Sequence, residues 1–177
     1  MMKPRLAVVL LLLTVMVLLF GWRFAKDTSV RQADVLTREA GRLFHDWRLQ
    51  PMPATAAVDA EAAVNRASAI IGRRVVLPRD AVFAYAVVSS EKTGARKAAA
   101  VRFLADNEAF LLLVVSQGGT LGQGLATPPS PFPGAFFLSG VREGVSFVLW
   151  KRDALFYCLV SDRDMTRVFD LVRRHFQ

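Results

Sequence analysis

Few side chains in this chain of 177 residues have the chemistry for acid–base or nucleophilic catalysis. There are two histidines, His45 and His175, and one cysteine, Cys158. Catalysis of either kind needs partner groups held within hydrogen-bonding reach. The histidines fall in the first and last helices predicted after the N-terminal apolar run, Cys158 falls in an apolar strand pattern, and Ser161 and Asp162 are explained as helix-capping residues. We therefore predict that the chain is not an enzyme, with a hydrolytic or other enzyme of unrecognised site as the alternative.

The same side chains bear on cofactors and metals. No second ligand is spaced from His45 as a metal site would need, and no C-x-x-C-H run for haem attachment occurs. His175 lies at the C-terminal end of a predicted helix, where positive charge favours the helix dipole. We predict no cofactor and no metal, with a cofactor carrier such as a haem protein as the alternative. Cys158 is interpreted as a buried structural thiol rather than a reactive or intermolecular one.

Residues 6–22, LAVVLLLLTVMVLLFGW, form the longest apolar run and contain no charged residue. A helix rises about 1.5 Å per residue, so the run reaches roughly 25 Å, the short end of the length that spans a bilayer core. Trp22 and the basic residues on both sides suit the membrane interface. We predict a transmembrane anchor at 6–22 after a short tail at 1–5. A cleaved signal peptide and a buried core helix are the alternatives, but residues 20–25 lack the small-residue pattern of a cleavage site.

Basic residues on the two sides of this run bear on its orientation. By the positive-inside rule the following domain would be cytoplasmic, because four basic residues follow the run closely and two precede it (Arg23, Lys26, Arg31 and Arg38 against Lys3 and Arg5). Long domains, however, cross the membrane largely regardless of charge, and a very short tail is typical of a signal anchor. We favour a single-pass protein of the inner (cytoplasmic) membrane, with the C-terminal domain extracytoplasmic, which in a Gram-negative bacterium is periplasmic. The lipid bilayer is then its first partner.

The net charge of +8 is spread along the chain rather than collected in one block. Spread positive charge favours solubility and attraction to anionic lipid headgroups. Nucleic-acid binding is typical of basic runs interleaved with exposed aromatic residues, and no such run occurs. We therefore predict no nucleic-acid partner.

Residues 27–49 have the pattern of a long juxtamembrane amphipathic helix. Its apolar residues recur at spacings of three and four, and mixed charges fill the other positions (Val30, Ala33, Leu36, Ala40, Leu43, Phe44 and Trp47). Such a stripe packs on its own domain or on a second copy, so residues 30–47 are a candidate for self-association. A stalk that transmits a signal is the functional alternative. Phe44 and Trp47 are candidate partner-binding residues.

After prolines at 51 and 53 end this helix, we predict a compact domain at 57–177. A second helix begins near Asp59 and is capped by Gly72, and a last helix spans 164–176 with Ser161 as part of its cap. Between these helices, the spacing of apolar residues is typical of β-strands, some of them joined as hairpins. The predicted strands are at 75–77, 82–90, 97–104, 109–116, 135–138, 146–151 and 155–160. The predicted fold class is α+β: an N-terminal transmembrane helix, an amphipathic helix, and an antiparallel sheet built of hairpins with flanking helices.

A glycine- and proline-rich loop is predicted at 117–134, QGGTLGQGLATPPSPFPG. Loops of this length are usually functional or disordered. Its glycines do not form a phosphate-binding motif, because no lysine and no helix follow them. The loop is either a flexible surface segment or a partner- or headgroup-binding one, and in the second case Leu125 and Phe132 are the candidate contacts.

The segment 150–162, WKRDALFYCLVSD, resembles the strand–turn–strand–helix unit of the C-terminal extracytoplasmic domain of membrane-bound anti-sigma factors. The resemblance covers roughly residues 57–177, with strands in the same order. It implies a membrane-tethered, non-catalytic, extracytoplasmic interaction or sensory module with a membrane or periplasmic protein partner, such as an accessory subunit of a membrane complex. Anti-sigma factors also carry a cytoplasmic domain, often with a His/Cys zinc motif, that holds the sigma factor. About five residues precede the apolar run here, so a sigma-binding role is not implied.

Overall fold

The computed structural model describes residues 14–16, 33–50, 59–88, 97–116 and 137–176, with backbone alone for 82–88 and 137. Helix α1 occupies residues 33–48, α2 spans Ala60–Ile71 and α3 spans Met165–His175. The strands are β1 (Val82–Val88), β2 (Ala98–Ala105), β3 (Glu108–Ser116), β4 (Phe137–Arg142), β5 (Val145–Arg152) and β6 (Leu155–Ser161).

Within these described ranges, no helix has the length and apolar character needed to cross a membrane. The predicted anchor at 6–22 lies outside the described residues except for 14–16, which are helical. The loop predicted at 117–134 lies outside them entirely.

The six strands form one antiparallel sheet in the order β1-β2-β3-β6-β5-β4. Two three-stranded meanders therefore meet at the β3–β6 pair, and β1 and β4 are the edges. The β2–β3, β4–β5 and β5–β6 hairpins each turn over two residues with positive φ, at 106–107, 143–144 and 153–154. Positive φ at both positions is the conformation of a type I′ turn, whose twist matches that of the flanking strands. This confirms the predicted α+β class and hairpin-built sheet.

Helices cover both faces of the sheet, so the domain has three layers. Helices α2 and α3 pack on one face, over buried residues such as Phe103, Leu112 and Tyr157. Helix α1 packs on the other face, over buried residues such as Leu113 and Cys158. The central strands are nearly continuous runs of buried residues because they are covered on both sides.

Polar contacts hold α1 on the sheet beyond its apolar stripe. Arg142 of β4 forms an ion pair with Asp34 and donates to Thr37 Oγ1 at 3.3 Å. The hydrogen bond from Arg142 is the largest cause of the lowered pKa of Asp34. Arg48 pairs with Asp162 at 2.9 Å near the other end of α1. Residues 33–48 thus pack in the same core as the strands, although the sequence had placed the compact domain at 57–177.

The ends of the helices follow local chemistry. Asp59 caps α2 by accepting from Ala62 N at 2.6 Å, and Gly72 ends it with a φ of 76°, as predicted. The cap of α3 is Asp164, which accepts from Arg167 N at 3.0 Å. The prediction that Ser161 takes part in this cap is wrong, because its Oγ donates to Ala109 O at 2.8 Å. The strand predicted at 75–77 is also wrong, since residues 74–78 are irregular.

Candidate anion-binding groove

The irregular segment after α2 crosses the sheet face between α2 and α3. Gly72 redirects the chain, and Val75 N then donates to Ser68 Oγ at 2.9 Å. Val75 and Leu77 are buried in the core at 1% and 5% exposure. These two buried side chains anchor the segment on the sheet, and the arginines at 73, 74 and 79 are exposed to solvent.

An open groove of about 800 Å³ runs along this segment. The β5–β6 turn and the C-terminal end of α3 form its other walls. Five arginines and two aspartates line it, a surplus of three positive charges, and we call it the arginine groove (Arg73, Arg74, Arg79, Arg152 and Arg174, with Asp80 and Asp153). His175 also lies in its wall.

Two of the five guanidinium groups are fixed by neighbours. Arg152 Nη1 donates to Phe176 O at 3.0 Å, and its Nε lies 3.7 Å from the carboxylate of Asp153. Arg174 pairs with Asp106 at 3.0 Å. These contacts hold both cations at the rim of the groove.

The other three are unpaired. Arg73, Arg74 and Arg79 make no ion pair and no side-chain hydrogen bond with another described residue. The arginines exposed on α1 are instead neutralised by nearby carboxylates at 2.8–2.9 Å (Arg38 by Asp34, Arg42 by Glu39 and Asp46, Arg48 by Asp162). The groove is therefore a place where planar cationic donors are available to a ligand.

An aromatic cluster lies beneath the segment. Tyr157 is 1% exposed, stacks on Trp150 at 5.3 Å between ring centroids, and lies 6.3 Å from the ring of Phe176. Burial raises the pKa of Tyr157, and its hydroxyl accepts from Val76 N at 3.4 Å. This buried, uncharged cluster packs beneath the segment whose residues Val76 and Leu77 line the groove among its arginines.

Cys158 and His45 lie outside the arginine groove. Burial raises the pKa of the Cys158 thiol to about 12, so it is a thiol at neutral pH. Its burial confirms the structural interpretation. His45 Nε2 lies 3.2 Å from the backbone carbonyl oxygen of Glu143. No group of three or more His, Cys, Asp or Glu side chains in the described ranges could hold a metal ion.

Comparison with protein-family models, with curated proteins and with solved structures gave no match.

The residues predicted to bind a partner do not meet in one place. Phe44 is 4% exposed and packs into the α1–sheet core, so its ring is not presented to a partner. Trp47 is half-buried against the same core. Leu125 and Phe132 lie outside the described residues. The stripe proposed for self-association, in its described part, is likewise covered by the chain's own sheet.

Sequence reasoning did not find the groove. Its arginines are far apart in the chain, and only the fold brings 73–79 next to 152 and 174. A local signal was nevertheless present, because adjacent arginines follow the capping Gly72 directly and Arg79 follows Pro78. Basic residues in an irregular segment between elements are exposed and have no helical neighbours for pairing.

Proposed function

We propose that this chain is a membrane-anchored, non-catalytic binding module whose domain recognises an anionic partner through the arginine groove. The domain would lie on the extracytoplasmic side of the inner membrane. The observation that carries the proposal is a group of three exposed guanidinium groups that have no ion-pair or hydrogen-bond partner among the described residues. Positive charges outnumber negative ones among the residues that line the groove, so the arginines repel one another on balance, and an anionic partner relieves that repulsion.

The tethering part of the proposal is supported by the apolar run at 6–22. Ten residues lie between this run and the first described residue of α1, and α1 packs on the face of the sheet opposite the groove. The groove face is therefore not used to seat the helix that follows the anchor. The resemblance of 150–162 to the extracytoplasmic domain of anti-sigma factors supports a non-catalytic role outside the cytoplasm.

Site-specific cross-linking in intact cells tests this function. A photo-reactive residue replaces Asn65, which is exposed on α2 beside the groove, or, as the matched control, Val35, which is 58% exposed on α1. We expect a defined adduct from position 65 and none from position 35.

The charge dependence of that adduct is the second half of the experiment. The triple variant R73Q/R74Q/R79Q is expected to abolish it, and because these side chains make no ion pair or side-chain hydrogen bond with a described residue, the fold should be little affected. The control R38Q/R42Q/R48Q removes the same charge from α1 and is expected to leave it intact. An adduct that survives the groove variant, or that forms equally from position 35, would overturn the proposal.

A further inference from the structure

The size of the arginine groove restricts its ligand. Small-molecule and cofactor sites occupy about 300–1,000 Å³, and the groove along residues 73–80 measures about 800 Å³. A folded protein partner would instead need a broad surface of roughly 800 Å² on each side. The dimensions fit a small ligand or the headgroup of a larger one.

The charge and shape of its donors restrict the ligand further. The planar guanidinium fork matches the oxygens of phosphate and carboxylate groups in a bidentate way. Three such groups have no partner in the described part of the chain, and two more line the rim, so the lining residues carry a surplus of three positive charges. A phosphate monoester carries a charge of about −1.5 to −2 at neutral pH, so a phosphate or diphosphate group balances this surplus better than one carboxylate does.

A second cavity indicates what the phosphate would be attached to. It measures about 860 Å³, shares Arg73, Arg74 and Arg79 with the first, and extends along α2. Most of the surface that lines this cavity is apolar, and its α2 side combines two apolar side chains with three polar ones (Ala60 and Val64; Glu61, Asn65 and Ser68). A ligand with its phosphate among the arginines would therefore place an apolar stem against α2.

We propose that the arginine groove binds a phosphate or diphosphate group joined to an apolar stem, with Arg73, Arg74 and Arg79 as its direct ligands. This inference rests on the proposed function and names the chemistry of its anionic partner. Two sources share that chemistry: the headgroup of an anionic lipid in the bilayer, and a free amphiphilic phosphate ester.

Thermal unfolding of the full chain in an uncharged detergent tests the inference, because a ligand that binds the folded state raises Tm. The probes are octyl phosphate below its critical micelle concentration, inorganic phosphate, inorganic diphosphate, and octyl glucoside as the uncharged molecule with the same stem. We expect octyl phosphate to raise Tm at concentrations at least about tenfold below those needed for inorganic phosphate. Octyl glucoside should give no shift.

The same titration of R73Q/R74Q/R79Q should require at least about a tenfold higher concentration of octyl phosphate, since one hydrogen bond from a charged group accounts for roughly a factor of ten. R38Q/R42Q/R48Q should respond like the unaltered chain. Nanodiscs of phosphatidylcholine with and without phosphatidylglycerol separate the two sources. A groove-dependent rise in Tm only with phosphatidylglycerol present assigns the bilayer headgroup, and one only with octyl phosphate assigns a free ester.

The inference is overturned if neither phosphate source raises Tm, or if the groove variant responds like the unaltered chain. If no phosphate ligand raises Tm but the cross-link from position 65 still depends on the groove arginines, the proposed function stands. Its anionic partner would then be of another kind, such as an acidic protein segment. Loss of both would remove the function as well.

Discussion

Cys158 shows how burial sets the behaviour of a single residue. It lies in β6 between the sheet and α1 at 1% exposure, and burial raises its pKa to about 12. The thiolate is the reactive form, so the native protein should react with iodoacetamide at about pH 8 far more slowly than the same protein in denaturant. Mass spectrometry of the labelled fraction over time measures both rates. Labelling of the folded chain at the rate of the denatured one would show that α1 does not cover β6.

Asp34 gives a prediction for pH at the same scale. The hydrogen bond from Arg142 lowers its pKa, so its contribution to stability is complete above the unfolded value of about 3.9 and is lost as pH falls through the lower folded value. The difference in unfolding free energy between the unaltered chain and Asp34→Asn should be constant above about pH 5 and should narrow below about pH 4.

Denaturant unfolding at a series of pH values measures that difference. Asp46→Asn is the matched control, because Asp46 pairs with Arg42 on the exposed side of the same helix. Such surface pairs contribute at most about 0.5 kcal/mol. If the difference in unfolding free energy between the unaltered chain and Asp34→Asn stays constant down to about pH 3, the role given to Arg142 is contradicted.

At the scale of elements, the docking of α1 is the feature with the clearest energetic consequence. Leu36 is 4% exposed against the sheet, and its neighbour Val35 is 58% exposed on the solvent side. Leu36→Ala should lower the free energy of unfolding by about 2–5 kcal/mol, because it leaves a cavity between α1 and the sheet. Val35→Ala should change it by no more than about 0.5 kcal/mol.

Chemical denaturation of both variants, with the same probe, measures the two effects. Equal effects would mean that α1 stands away from the sheet as a free stalk. Leu36 and Val35 are adjacent in the same helix, and they differ in that Leu36 faces the sheet and Val35 faces solvent. Any difference between the two variants therefore reports the packing of α1 on the sheet.

The elements also show which parts of the fold were predictable. Strands β2, β3, β5 and β6 were found within about two residues because each is a sustained apolar run bounded by polar turns. Helices α2 and α3 were found from their apolar spacing and caps. The strand predicted at Val75-Val76-Leu77 is wrong. These apolar residues resemble a strand in sequence because they pack in the core, but the segment is irregular and pairs with no described strand.

The candidate site was not predictable in the same way. The arginine groove depends on side chains from an irregular segment, a hairpin turn and a helix end, which only the tertiary structure brings together. Conversely, the apolar stripe with Phe44 was correctly read as amphipathic helix, but the sequence could not tell whether its own sheet or a partner covers it. Burial against β-strands from the far half of the chain settles that choice for the described part of α1.

At the scale of the whole molecule, the three layers place α1 and the arginine groove on opposite faces of the sheet. The layer formed by α1 follows the apolar run closely in sequence, and the layer formed by α2 and α3 contains the arginine groove. A domain tethered through one layer can present the other to a ligand without rearranging its core. This arrangement supports the proposal of a binding module held at a membrane.

The central claim, that the domain is anchored outside the cytoplasm, is tested most directly by determining the compartment in which the C-terminus lies. Fusions after Gln177 to a reporter active only outside the cytoplasm, and to one active only inside it, report the side of the membrane. The proposal of an anchored extracytoplasmic module predicts that the full chain activates the outside reporter alone. A matched variant lacking residues 6–22 should activate the inside reporter alone. Activity of the inside reporter fused to the full chain would contradict the claim, and the arginine groove would then face cytoplasmic anions.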